Sequence, residues 1–196
     1  MDVIYTDNNA TTKVADEVIQ EMLPFLGDFY GNPSSMYTFG DQVGKKIRKA
    51  RKQVADLINA DPEEIIFTSC GTESDNAAIN AAITAFPEKK HLITSVVEHP
   101  AIKNMFSYLE KNKGYEVTFV PVDKKGRLDL DTLYNAMSDN TAIISLMWAN
   151  NETGVIFPIE EITQKANEKG ILFHTDAVQA TGKVEIDVKK IGVDML

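Results

Sequence analysis

Five short apolar runs are spaced along the chain: EIIFTS at 64–69, HLITSVVE at 91–98, YEVTFVPV at 115–122, TAIISLMWA at 141–149 and ILFHTDAV at 171–178. Between them the apolar residues recur every three or four positions instead of every two. Ile79, Ile83 and Phe86 stripe one such stretch, which Pro87 closes. Ile102, Met105, Phe106 and Leu109 stripe the next, with Gly114 placed as a C-cap. LDLDTLYNAM at 128–137 is a third, and Ile159, Ile162 and Ala166, ending at Gly170, mark a fourth. Strand alternating with helix requires crossover connections. The expected fold class is therefore α/β, a mostly parallel sheet flanked by helices. TAIISLMWA is apolar throughout, which predicts a strand buried on both faces.

Upstream of the first run the pattern is helical. Val18, Ile19, Met22, Leu23 and Leu26 lie at helical spacing over 16–26, and GDFYGNPSS at 27–35 is a loop of turn formers. Val43, Ile47, Ala50, Val54 and Leu57 then line one face of a basic, exposed helix. No repeat or low-complexity segment interrupts the order.

Polar clusters follow the strands. TSCGTES comes after EIIF, EHP after HLITSVV, NNETG after TAIISLMWA, and TDAVQ near the end of ILFH. In a parallel sheet these ends share one edge, where open α/β folds bind ligands, so the four clusters are expected to converge. Gly71 lets backbone approach a ligand and Thr72 adds a hydroxyl at a helix N-terminus. The pair suits a phosphate or a plain helix cap, with Glu73 and Asp75 favouring the dipole. His99 suits ring stacking, proton transfer or an ordinary loop hydrogen bond. Asp176 lies in a run that reads as buried strand, so it needs a partner, either a protonated heterocycle nitrogen or a structural donor. Gln179, three residues on, points to the same place. Asn150 and Asn151 are neutral hydrogen-bonding groups or a turn after the strand.

Composition narrows the chemistry. A net charge of −9 over 196 residues argues against nucleic acid, whose binding rests on Lys and Arg, and leaves room for a small anion held by backbone. The single cysteine, Cys70, allows no disulfide within the chain and is expected to be a small filler of the turn. His91, His99 and His174 have no zinc spacing, so no metal is expected. GDQVGKK at 40–46 is not a Walker A loop, and no G-x-G-x-x-G follows a strand. There is no signal-like start and no apolar run of membrane length, so a soluble cytoplasmic protein without membrane contact is expected. A phosphate cup, a stacking histidine, an aspartate for a ring nitrogen and a glutamine for a ring hydroxyl together describe a pyridoxal 5'-phosphate site.

YTDNNATT at 5–12, YGNPSS at 30–35, FTSCGTESDN at 67–76, EHPA at 98–101, ANNETG at 149–154 and HTDAVQATGK at 174–183 together resemble the NifS/IscS-type cysteine desulfurases. The resemblance implies the aspartate aminotransferase fold (fold type I), with this chain as an incomplete large domain. It divides the sequence into an N-terminal segment, 1–15, that packs with a small domain, and a pyridoxal-phosphate domain, 16–196. By resemblance Gly71 and Thr72 bind the phosphate, and His99 stacks on the ring and moves protons. Asn151 lies near cofactor and substrate, Asp176 partners the ring nitrogen, and Gln179 bonds the ring hydroxyl. The implied reaction takes sulfur from L-cysteine, leaves alanine and an enzyme persulfide, and feeds an iron–sulfur scaffold or another sulfur acceptor. A homodimer is implied. Related enzymes of the fold, a selenocysteine lyase or an aminotransferase, and a non-catalytic short paralogue or fragment are the alternatives. In the family the Schiff-base lysine, the sulfur-accepting cysteine and the carboxylate-binding arginine fall after the position of Leu196. The 196 residues alone are therefore expected to be inactive, with a bare sheet edge.

Overall fold

A computed structural model describes residues 4–196; residues 1–3, the start of the segment set apart as 1–15, lie outside the described residues. The chain divides into two compact units, a first unit ending at Ile66 and a second, Phe67–Leu196.

The first unit contains α1 (Asp16–Met22), a 3-10 turn (Leu23–Leu26), α2 (Thr38–Ile58) and a 3-10 turn (Pro62–Glu64). The helix expected over 16–26 tightens at Leu23 because Pro24 cannot donate to the α-helical ladder. Its apolar stripe buries nothing: Val18, Ile19, Met22, Leu23 and Leu26 are all exposed. Of the stripe that the spacing marks on α2, Val43 alone is buried. Ile47, Val54 and Leu57 are exposed, whereas Gly40, Val43, Gly44, Ala55 and Ile58 are buried. The cause is the preceding loop, which lies on the helix so closely that a Cβ on Gly40 would meet the Asn32 carbonyl oxygen at 2.2 Å.

The second unit holds α3 (Gly71–Ala85), β1 (His91–Ser95), α4 (Pro100–Lys113), β2 (Glu116–Val120), α5 (Leu130–Ala136), β3 (Thr141–Met147), α6 (Ile159–Glu168), β4 (Leu172–Asp176) and α7 (Val188–Ile191). The four strands form one sheet in the order β2-β1-β3-β4, every pair parallel. β3 is buried along its whole length, as its apolar run predicts. The chain runs from β1 out to β2 and then back toward β4, and by the right-handed crossover rule that reversal puts α4 on the face opposite α5 and α6. Ile79 and Ala82 of α3, Leu92 of β1, Ile102, Phe106 and Leu109 of α4 and Ile143 of β3 form one buried cluster. Pro100 opens α4 and Gly114, at φ +71°, ends it, so both punctuation marks in the sequence are used.

The first expected strand, EIIFTS, forms no ladder among the described residues. Ile65 is extended, but a strand needs a neighbour, and Ile66 and Phe67 stay exposed. The β4 edge carries one isolated parallel bridge, in which Met195 accepts from Thr175 N–H at 3.0 Å and donates to the Phe173 carbonyl at 3.2 Å. Among the described residues no helix is long and apolar enough to cross a membrane.

Candidate active site

β1 leads out to β2 and β3 leads out the other way to β4, so the crevice between the carboxyl ends of β1 and β3 is the topological switch point. The expected site residues gather around that edge. His99 ends the corner after β1, Asn151 lies in the turn after β3, Asp176 is the last residue of β4, and Gln179 follows it.

The N-terminus of α3 lies beside the end of β4. A Cβ on Gly71 would stand 3.3 Å from Val178 Cγ2, so this turn packs against the residue two beyond Asp176. Gly71 and Thr72 are the first two helical residues, whose N–H groups have no partner within the helix. Thr72 is exposed. The corner before it is self-bonded: the Ser69 N–H and hydroxyl donate to Glu73 Oε2 at 2.7 and 2.5 Å, and the Thr68 and Ser74 hydroxyls meet at 2.7 Å. Cys70, expected to be a small filler of the turn, is exposed. The Glu73 N–H, the Ser69 hydroxyl and the Thr72 N–H favour its thiolate and lower its pKa.

His99 is exposed and caps α4, its Nδ1 accepting the Ala101 N–H at 3.2 Å. That bond places the proton of the neutral ring on Nε2. Asp176 is half-buried; its Oδ1 accepts the Val178 N–H at 3.0 Å and its carbonyl accepts the Trp148 N–H at 2.8 Å. Gln179 Oε1 accepts from Lys183 Nζ at 2.7 Å. The two asparagines divide their work. Buried Asn150 holds the turn, its Oδ1 accepting from the Glu152 and Thr153 N–H groups at 3.0 and 2.9 Å. Asn151 is half-buried and donates to Glu152 Oε1.

Three further ionisable groups lie behind this edge, and the sequence patterns did not single them out for the site. Asp75, expected to serve the helix dipole, is instead only 5% exposed and faces the sheet. Its Oδ1 is 3.6 Å from Nε2 of buried His174, whose Nδ1 meets Ser145 Oγ at 2.8 Å. Burial, and then the Asp176 charge, push Asp75 up to about 7, while burial pushes His174 down to about 4. Near neutral pH the imidazole is therefore uncharged, and the contact is no ion pair. Glu98 is buried next to His99. Burial raises it to about 8 against the hydrogen bonds from Ser95 and Met147, and the Asp176 and Asp75 charges push the same way as burial. The grooves elsewhere on this unit, one lined by Pro121, Leu128 and Ile156 and one by Glu160, Glu185 and Lys190, include none of the six expected site residues.

A parallel sheet with a helix N-terminus, a histidine and a carboxylate at its carboxyl edge is an arrangement for a small anionic ligand with a basic ring. The chain belongs to the aminotransferase class-V family, whose model matches residues 4–196. It is 57% identical over 196 residues to a cysteine desulfurase of Trichormus azollae, covering all of this chain and 49% of that relative. It is 55% identical over 194 residues to the cysteine desulfurase NifS of Azotobacter vinelandii, covering 98% of this chain and 48% of the relative. A solved NifS-like protein superposes with a TM-score of 0.91 at 40% identity, covering 96% of this chain and 52% of that one. The chain thus spans about half the length of the curated relatives it matches. Class-V aminotransferases and cysteine desulfurases are pyridoxal-phosphate dependent.

Proposed function

We propose that the protein is a cysteine desulfurase that uses pyridoxal 5'-phosphate to take sulfur from L-cysteine, leaving alanine. The observation that carries this is the gathering of His99, Asn151, Asp176 and the Gly71–Thr72 turn at one sheet edge, in a chain 57% identical to a cysteine desulfurase.

The residues fit the cofactor by the chemistry of their donors and acceptors. The N–H groups of Gly71 and Thr72, with the Thr72 hydroxyl, would hold the phosphate at the positive end of α3. Asp176 has one oxygen on the Val178 N–H, and its second would hold the proton on the ring nitrogen. Gln179 would donate to the ring hydroxyl and Asn151 would orient cofactor and substrate. His99, with Nδ1 committed to Ala101, would lie against the ring and move a proton at Nε2. When bound, the cofactor supplies an electron sink for loss of the amino-acid Cα proton. Residues 1–15 pack with a small domain, the protein works as a homodimer in the cytoplasm, and the sulfur goes to an iron–sulfur scaffold or another acceptor.

The test is incubation of the full-length protein with L-cysteine, pyridoxal phosphate and a thiol reductant. Alanine and sulfide in equal amounts are expected. Transamination of cysteine without sulfide would overturn the assignment.

A further inference from the structure

Glu98 is the one acidic side chain at the β1–α4 corner, and it is 4% exposed. Its Oε1 accepts from Ser95 Oγ at 2.5 Å and its Oε2 accepts from the Met147 N–H at 2.9 Å. The second bond has a topological cause. The N–H of Trp148 points to β4, where it meets the Asp176 carbonyl, so the preceding N–H, on Met147, points to the β1 side. β1 stops at Ser95, and its register with β3 is recorded only as far as Thr94 and Ser145. The Ser95 carbonyl, next in that register, makes no ladder bond to Met147, and the Glu98 carboxyl takes that place. Asn150 adds a second tie to the same corner, donating to the Val97 carbonyl at 3.3 Å. The five-residue corner from Ser95 to His99 is therefore pinned to the end of β3 at two points, directly across the switch-point crevice.

A carboxyl is a costly side chain to bury here, facing Asp176 from β4 and Asp75 from α3, with His99 next along the chain. An apolar residue would fill the space, but it would leave the Met147 N–H without an acceptor and the corner free to shift. His99, by contrast, is exposed, and its side-chain bond is local, Nδ1 accepting from Ala101. Where its ring lies over the crevice depends on where the corner sits.

We infer that Glu98 is a positioning residue for His99: its carboxyl extends the β1–β3 ladder past Ser95 and so sets where the corner presents the imidazole. This rests on the role proposed above for His99.

The test is a double-mutant cycle in the full-length holoenzyme, read together with the NMR signals of the His99 ring in protein freed of cofactor. Glu98→Ala is expected to lower kcat about 10-fold or more with KM for cysteine within about 3-fold, and adding His99→Ala should lower kcat by less than about 3-fold beyond His99→Ala alone. Glu98→Gln keeps both hydrogen-bonding positions and should hold kcat within about 3-fold of the parent. Glu98→Asp, one methylene too short to reach Met147, replaces the alanine variant if that one does not fold. The His99 ring signals should move in the alanine or aspartate variant and stay put in Glu98→Gln. Additive losses in the cycle, ring signals unmoved by shortening Glu98, or a glutamine variant as impaired as alanine would each overturn the inference. If the parent enzyme releases no alanine from cysteine, the desulfurase assignment fails instead, while the ring signals still report whether Glu98 places His99.

Discussion

Helices α1 and α4 carry the same kind of apolar stripe and meet opposite fates. In α4, Ile102, Phe106 and Leu109 are fully or almost fully buried against the sheet. In α1 and its 3-10 extension, the stripe from Val18 to Leu26 lies on the surface, with Leu26 81% exposed. Helical periodicity states that a face is apolar; it does not state what covers it. The second unit supplies its own cover, because each crossover lays a helix back on the sheet. The first unit has no sheet among its described residues, and its preceding loop lies on the glycines of α2.

The largest effect that would break this contrast is in the α4 interior. Phe106→Ala should cost about 3–5 kcal/mol in denaturant unfolding of the 196-residue chain. A loss below about 1 kcal/mol would mean that α4 is not the covered helix.

The carboxyl edge of the second unit should respond differently from its interior. Asp176→Ala in the full-length enzyme should cut kcat roughly 100-fold, about 2.7 kcal/mol of barrier, with a much smaller loss of bound cofactor. Unchanged turnover would remove Asp176 from its proposed role.

The buried acids behind that edge make stability depend on pH. Folded Asp75 and Glu98 keep their protons up to about 7 and about 8, above the values of 3.8 and 4.5 from which they are raised. In that window the folded state binds more protons, so stability falls as pH rises. His174 works the other way between about 4 and 6.5, where the folded state binds fewer protons, so it offsets part of the slope below 6.5. Above pH 6.5 the acids act without that offset, at up to about 1.4 kcal/mol per pH unit for each proton. Urea midpoints between pH 6.5 and 8 should therefore decline, and Asp75→Asn or Glu98→Gln should flatten the decline. A parent protein with no slope there would contradict the burial of these groups.

Two smaller changes sharpen the picture. Thr72→Ala should weaken retention of pyridoxal phosphate about 2- to 10-fold, the size of one hydrogen bond, as read by dialysis and absorbance. Leu26→Ala, in the exposed stripe, should change the stability of the 196-residue chain by less than about 0.5 kcal/mol.

How much was legible in the sequence follows the same divide. β3 could be read because a run apolar at every position fits a strand covered on both faces. α4 could be read because Pro100 and Gly114 mark its ends. EIIFTS has the residues of a strand, but a ladder needs a neighbour, and strand propensity carries no information about one. His99, Asn151, Asp176 and Gln179 were visible because polar residues after apolar runs fall on one edge of a parallel sheet. Asp75, Glu98 and His174 were not recognisable as a buried group. An aspartate in the second turn of a helix looks the same whether it faces water or a strand, and only its contact with His174, whose ring meets Ser145, shows that it faces the sheet. Glu98 had one available signal: it directly precedes the histidine at a strand end.

The most direct measurement is a crystal structure of the full-length protein with pyridoxal phosphate. The phosphate should accept from the Gly71 and Thr72 N–H groups, the ring nitrogen should lie on Asp176, and the His99 imidazole should lie against the ring. A cofactor bound away from the β1–β3 crevice, or Asp176 turned from the ring nitrogen, would contradict the account.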